Sequence, residues 1–175
     1  MNGVLPARIA LIPELLERAA ADWPDRTALV CGERRIDYRR YAEVRAAARR
    51  LRQALPPGAR VATLLGNSDL ACVLTLALQM AGCQHVPLNP LYTARELDFI
   101  LRDAQPALLI ADEASSALAA PLAAAQGIRL LDGAAARAWT IPSDETPAAA
   151  LPATRTRRRC CNTPAAPPAS PKASS

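Results

Sequence analysis

The stretch RVATLLGNSDLACVLTLALQMAGCQHVPLNPLYTARELDFILRDAQPALLIAD, residues Arg60–Asp112, sets the architecture. RVATLL reads as a buried strand, and Gly66-Asn67-Ser68-Asp69 breaks it and caps an apolar helix running from about Asp69 to Gly82. QHVPLNP (84–90) is a short strand leaving that helix. Thr93 and Glu96 then have the spacing of a capping box. The helix they open carries Leu97, Ile100, Leu101 and Ala104, and PALLIAD (106–112) follows as a strand. An Ala-rich helix to about Gln126 and the strand IRLLD (128–132) extend the series. The order β-α-β-α-β-α-β from Arg60 to Asp132 predicts an α/β fold, a largely parallel sheet flanked by helices.

Upstream, Ile12, Leu15, Leu16, Ala19, Ala20 and Trp23 share one helical face, and Pro24 stops that helix. TALVC and RRIDY, joined by Gly32-Glu33, read as a hairpin. Tyr41, Val44, Ala48, Leu51 and Leu55 then step by three and four, which predicts an amphipathic helix ending at Pro56-Pro57-Gly58. A helix and hairpin therefore precede the sheet. After Gly133 the periodicity fades, and residues 140–153 read as a linker.

With 175 residues, 51% of them apolar, the chain can bury a real core. Residues 1–150 hold 16 Arg against 16 acidic groups, so the net +5 sits entirely in residues 151–175, with four Arg, one Lys and no acid. A basic block can mark a nucleic-acid patch, but no aromatic pattern or helix accompanies this one, so nucleic acid is not the expected partner. The five cysteines have no paired spacing and His85 is the only histidine, which excludes a zinc site of four N or S ligands. Cys31, Cys72 and Cys83 fall in apolar runs and read as small core hydrophobes, suited to a reducing cytoplasm. The apolar run Leu70–Cys83 is too short for a membrane span, which needs about 20 residues. No transmembrane segment and no signal peptide are expected.

Chemistry-bearing motifs are scarce. Asn67 sits where α/β sheets bind ligands, at the carboxyl end of a strand. Its turn preference gives the simpler explanation of its place there. His85 has no titratable partner close in sequence and reads as structural. Ser115-Ser116 lacks the G-x-S-x-G context of a hydrolase. The seven glycines form no phosphate loop.

The ordered series Asn67-Ser68, Ala81-Gly82, Pro87-Leu88-Asn89-Pro90 and Glu96-Leu97 resembles the N-terminal part of the AMP-forming acyl-CoA synthetases, in the adenylate-forming superfamily. Residues 24–55 look like that family's opening segment, and within the family the chain looks most like fatty-acyl ligases. The resemblance covers about residues 10–150 and implies an incomplete AMP-dependent synthetase/ligase N-terminal domain over 1–150. The family reaction joins a carboxylate to the α-phosphorus of ATP and then transfers the acyl group to coenzyme A. It uses ATP, Mg²⁺ and coenzyme A, and a loop like T-G-G-T-T-G-x-P-K-G holds the phosphates. No position of this sequence matches that loop or the downstream contacts. No catalytic, cofactor-binding or metal residue is therefore carried over.

Residues 151–175 are where the loop is expected, and they read as an out-of-frame, disordered, basic Pro/Ala-rich tail. GC-rich codons for residues 154–174, read two bases later, give P-D-A-A-P-L-L-Q-Y-T-G-G-T-T-G-L-P-K-G-V, the loop with its lead-in. In the frame used, Pro164, Pro167, Pro168 and Pro171 stand at the loop, and proline offers no N–H. The expectation is a frameshifted synthetase fragment, inactive alone. It would self-associate through its exposed edges, or serve as a module docking on an intact or split synthetase. A basic-tailed nucleic-acid binder is the third reading.

Overall fold

The structure is a computed structural model and describes residues 11–41 and 44–140. Along the chain lie α1 (Ile12–Asp22), β1 (Thr27–Cys31), β2 (Arg34–Asp37), α2 (Tyr38–Tyr41), α3 (Val44–Ala54) and β3 (Arg60–Leu64). They are followed by α4 (Asp69–Ala81), β4 (Gln84–Leu88), α5 (Ala94–Ala104), β5 (Leu108–Ala111), α6 (Ser116–Gln126), β6 (Arg129–Leu131) and α7 (Gly133–Thr140). β1 and β2 form an antiparallel hairpin. The other strands form one sheet in the order β4-β3-β5-β6, parallel throughout.

The central strands are largely apolar because both faces are covered, with Thr63 of β3 the buried polar exception. Val61, Leu108 and Ile110 point into a cluster with Leu51 of α3, Leu74 and Leu78 of α4, and Ala136 of α7. Ala62, Leu64, Leu109 and Ala111 point the other way, against Leu97 and Leu101 of α5 and Ala119 and Leu122 of α6. The period of two along each strand thus divides one sheet between two cores.

Helix ends follow their local chemistry. Ser68 Oγ accepts the Ala71 N–H at 3.3 Å, and α4 stops at Gly82 in the left-handed conformation (φ +71°). Thr93 and Glu96 form the expected reciprocal box: Thr93 Oγ1 accepts from Glu96 N at 3.4 Å, and Glu96 Oε2 accepts from Thr93 N at 2.8 Å.

Three sequence readings need correction. The helix expected from Tyr41 begins earlier, as α2 at Tyr38, where Asp37 Oδ1 accepts the Arg40 N–H at 2.7 Å. The order expected to fade after Gly133 continues as α7. Its own pattern is weak, and it is held from outside, by Ala136 in the core and Arg137 on Asp69. The three cysteines read as core residues are only half-buried; Cys83 packs against the edge of the first core, while Cys31 and Cys72 lie by the hairpin–α4 junction. The readings of residues 1–10 and of the tail after Thr140 lie outside the described residues.

Candidate functional site

The strand order fixes where a ligand site is expected. From β3 the chain crosses to β4 on one side, and β5 lies on the other side of β3. The carboxyl ends of β3 and β5 therefore flank a topological switch point. The loop 65–68 leaves β3 there, and Asp112 to Ser115 leave β5.

Asp112 closes this crevice. Its Oδ2 accepts the Gly66 N–H at 2.7 Å and its Oδ1 accepts the Ser115 N–H at 2.9 Å. Its backbone oxygen accepts from Ser116 Oγ at 2.8 Å. Burial pushes the Asp112 carboxyl up, but the bonds from Gly66 and Ser115 outweigh it and hold the carboxyl below its ordinary value. The carboxylate is thus a fixed anion that ties two strand ends together. The Ser115-Ser116 pair, too, is spent in this turn.

Asp69, at the first position of α4, is buried to 1% exposure. Arg137 of α7 holds it with two hydrogen bonds, 2.8 Å to Oδ1 and 3.1 Å to Oδ2, and Arg34 of β2 pairs with Oδ2 as well. The Arg137 hydrogen bond, more than any other contact, keeps its carboxyl below the usual range. A carboxylate at a helix N-terminus is also favoured by the helix dipole. Asp69 therefore joins the hairpin, α4 and α7 at one point.

Asn67 stands exposed in the loop between them, and it is Ser68 that supplies the cap. His85 of β4 has Nε2 2.8 Å from Thr63 Oγ1 on β3, and burial pushes its pKa down. It is a neutral, structural histidine across a strand pair. Sequence reasoning named Asn67 and His85 but missed Asp69, Asp112, Arg34 and Arg137. The only local signal was an acid at a helix start. Sixty-eight residues separate Asp69 from Arg137, and no periodicity reports such a pairing. Among the described residues no group of His, Cys, Asp or Glu could hold a metal, and no helix is long and apolar enough to cross a membrane.

The comparisons agree with this architecture. The model of the AMP-binding enzyme family matches residues 16–174. The chain belongs to the AMP-binding enzyme family, in the adenylate-forming superfamily. It is 38% identical over 103 residues to N-(5-amino-5-carboxypentanoyl)-L-cysteinyl-D-valine synthase of Amycolatopsis lactamdurans, covering 57% of this chain and 3% of that protein. It is 36% identical over 107 residues to oxalate–CoA ligase of Arabidopsis thaliana, covering 59% of this chain and 21% of the other. The crystal structure of a long-chain-fatty-acid CoA ligase, so named as putative, from Rhodopseudomonas palustris superposes with a TM-score of 0.61 at 28% identity, over 69% of this chain and 32% of that one. Relatives thus include both peptide synthetases and CoA ligases. The chain spans a third or less of each of these three proteins.

Proposed function

We propose that this chain is the N-terminal part of an AMP-forming ligase that activates a carboxylic acid with ATP and transfers it to coenzyme A. The family match over residues 16–174 carries the reading. The likeness to a protein named for long-chain fatty acids favours a fatty acid as substrate class. A cytoplasmic location goes with that reading, since ATP and coenzyme A are drawn from that pool.

Asp69 and Asp112 do not fit a role towards ATP or Mg²⁺. Asp112 and Asp69, the buried or tied carboxylates of the crevice, are spent internally, Asp112 on backbone N–H groups and Asp69 on two guanidinium groups. No step is therefore routed through these residues. Their role is to fix the crevice. We further infer that residues 1–150 are an incomplete ligase domain and that residues 151–175 are read out of frame. The tail's shifted reading regenerates a glycine-rich phosphate loop, and preorganised donors of that kind supply a large share of phosphoryl catalysis. In the frame used, no glycine follows Gly133.

The test is carboxylate-dependent ATP–pyrophosphate exchange. The purified 175-residue chain is expected to show none. A gene repaired by a single-base change near codon 153 is expected to show it. Exchange by the unrepaired chain overturns the inactive-fragment reading. A repaired gene inert towards fatty and aryl acids overturns the adenylation reading.

A second reading, a module docking on an intact synthetase, has one specific observation in its favour. An apolar groove of about 520 Å³ opens between α1, α2 and α4, lined by Ile12, Leu15, Trp23, Tyr38, Tyr41 and Leu76. Co-purification with an intact synthetase, lost in Leu15→Glu, is the expected result. Unchanged capture by that variant removes the groove from the account.

A further inference from the structure

The hairpin meets α4 at the Asp69 hub, and that junction also gathers two thiols. Cys31 ends β1 and pairs in register with Arg34, whose guanidinium rests on Asp69. Cys72 lies three residues along α4 from Asp69, and a spacing of three puts both side chains on one helix face. β1 packs directly on α4. Both cysteines are half-buried and reduced. The junction thus carries one cysteine on each side, Cys31 on β1 and Cys72 on α4, and the two elements are in contact there.

We propose that Cys31 and Cys72 are a dithiol pair that closes to a disulfide and locks the hairpin onto the start of α4. The co-reactant is a low-molecular-weight disulfide such as oxidised glutathione. The Cys31 thiolate attacks one of its sulfurs and expels a thiolate. Cys72 then loses its proton and attacks the Cys31 sulfur of the mixed disulfide, expelling the second thiolate. Two protein thiols are oxidised and one small disulfide is reduced; the two protons lost by the protein thiols are taken up by the two expelled thiolates, so no net proton is released. Cys31, at the end of β1, makes the first attack. Burial pushes the Cys72 thiol up, and the nearby Cys31 adds to the effect, which suits Cys72 to the second, resolving attack. The hairpin is a two-stranded element outside the main sheet, so it can shift to reach disulfide geometry.

The experiment treats the full chain with oxidised glutathione under native conditions, quenches free thiols, digests with trypsin and analyses the peptides by mass spectrometry without reduction. The expected product links peptide 27–34, which holds Cys31, to peptide 61–95, which holds Cys72 and Cys83. The link is expected to survive Cys83→Ser and to disappear in Cys72→Ser. Linkage of Cys31 to Cys83, Cys160 or Cys161 overturns the proposal. So does Cys31 found only as a glutathione adduct, or a link that forms equally in urea. A mixture of isotopically light and heavy chains distinguishes the source of the link: hybrid light–heavy peptides would show an intermolecular bridge and sink the idea.

Discussion

Asp69 shows how much one side chain can hold. Its two oxygens take Arg137 and Arg34, and its burial leaves its own carboxylate no water to replace them. Asp69→Asn is expected to lower the unfolding free energy by about 2 kcal/mol, within the range for charge-assisted hydrogen bonds. The larger loss typical of a broken, fully buried pair is not expected, because both arginine side chains are about half exposed and regain water. Urea denaturation of the two forms measures the difference. The pH response has a definite sign. Asp69 and Asp112 have lowered pKa values when folded, so their contribution is present above the ordinary carboxylate range and is lost as pH falls through the folded values. His85 adds an earlier step. Its folded pKa is depressed by burial, so the unfolded chain takes up the proton first as pH falls below 6.5, and stability declines from there. Melting temperatures recorded from pH 7.5 to 5 should fall in the parent protein and stay flatter in His85→Gln. Parallel curves would refute that assignment.

Helix ends are where local sequence and structure agree best, and also where one departure is visible. Removing the α5 box with Thr93→Ala should cost about 1 kcal/mol, the usual value of an N-cap. α5 closes at Gln105 with φ +45°, the one non-glycine residue with positive φ among the described residues, directly before Pro106. A non-glycine residue there costs roughly 1–2 kcal/mol in strain. Glycine would add about 0.4–1 kcal/mol of unfolded-chain entropy. Strain is the larger, and the Gln105 side chain is exposed, so Gln105→Gly should stabilise by about 0.5 kcal/mol. A lower urea midpoint in that variant would show that the strain is relieved by other means. α4 differs from both because its burial dominates. Leu74 is fully buried at the centre of the first core, and Leu74→Ala should cost about 2–5 kcal/mol.

At the scale of the whole molecule, the sheet has two bare edges and the surface has apolar groups without cover, among the described residues. β4 and β6 each pair on one side only, and Leu91 and Phe99 are exposed to 89% and 74%. Unpaired edges and apolar surface of this kind drive association. Sedimentation of the isolated chain should therefore show species heavier than the monomer, with the heavier fraction growing with concentration. A monodisperse, cooperatively melting monomer would count against the incomplete-domain reading. The alternation of strands and helices from Arg60 to Asp132 was legible in the residues, because buried strands, capped helices and Gly or Pro breaks each leave a local mark over a few positions. So were the hairpin at Gly32, the Ser68 cap and the Thr93–Glu96 box. The strand order β4-β3-β5-β6, and with it the switch point between β3 and β5, was not legible, because it depends on which side each crossover takes. Nor was the joining of Arg34, Asp69 and Arg137, since ion pairs across 35 and 68 residues have no period to betray them. α7 shows the same division: GAAARAWT is a weak helix by itself, and only the core that receives Ala136 and the carboxylate that receives Arg137 make it one.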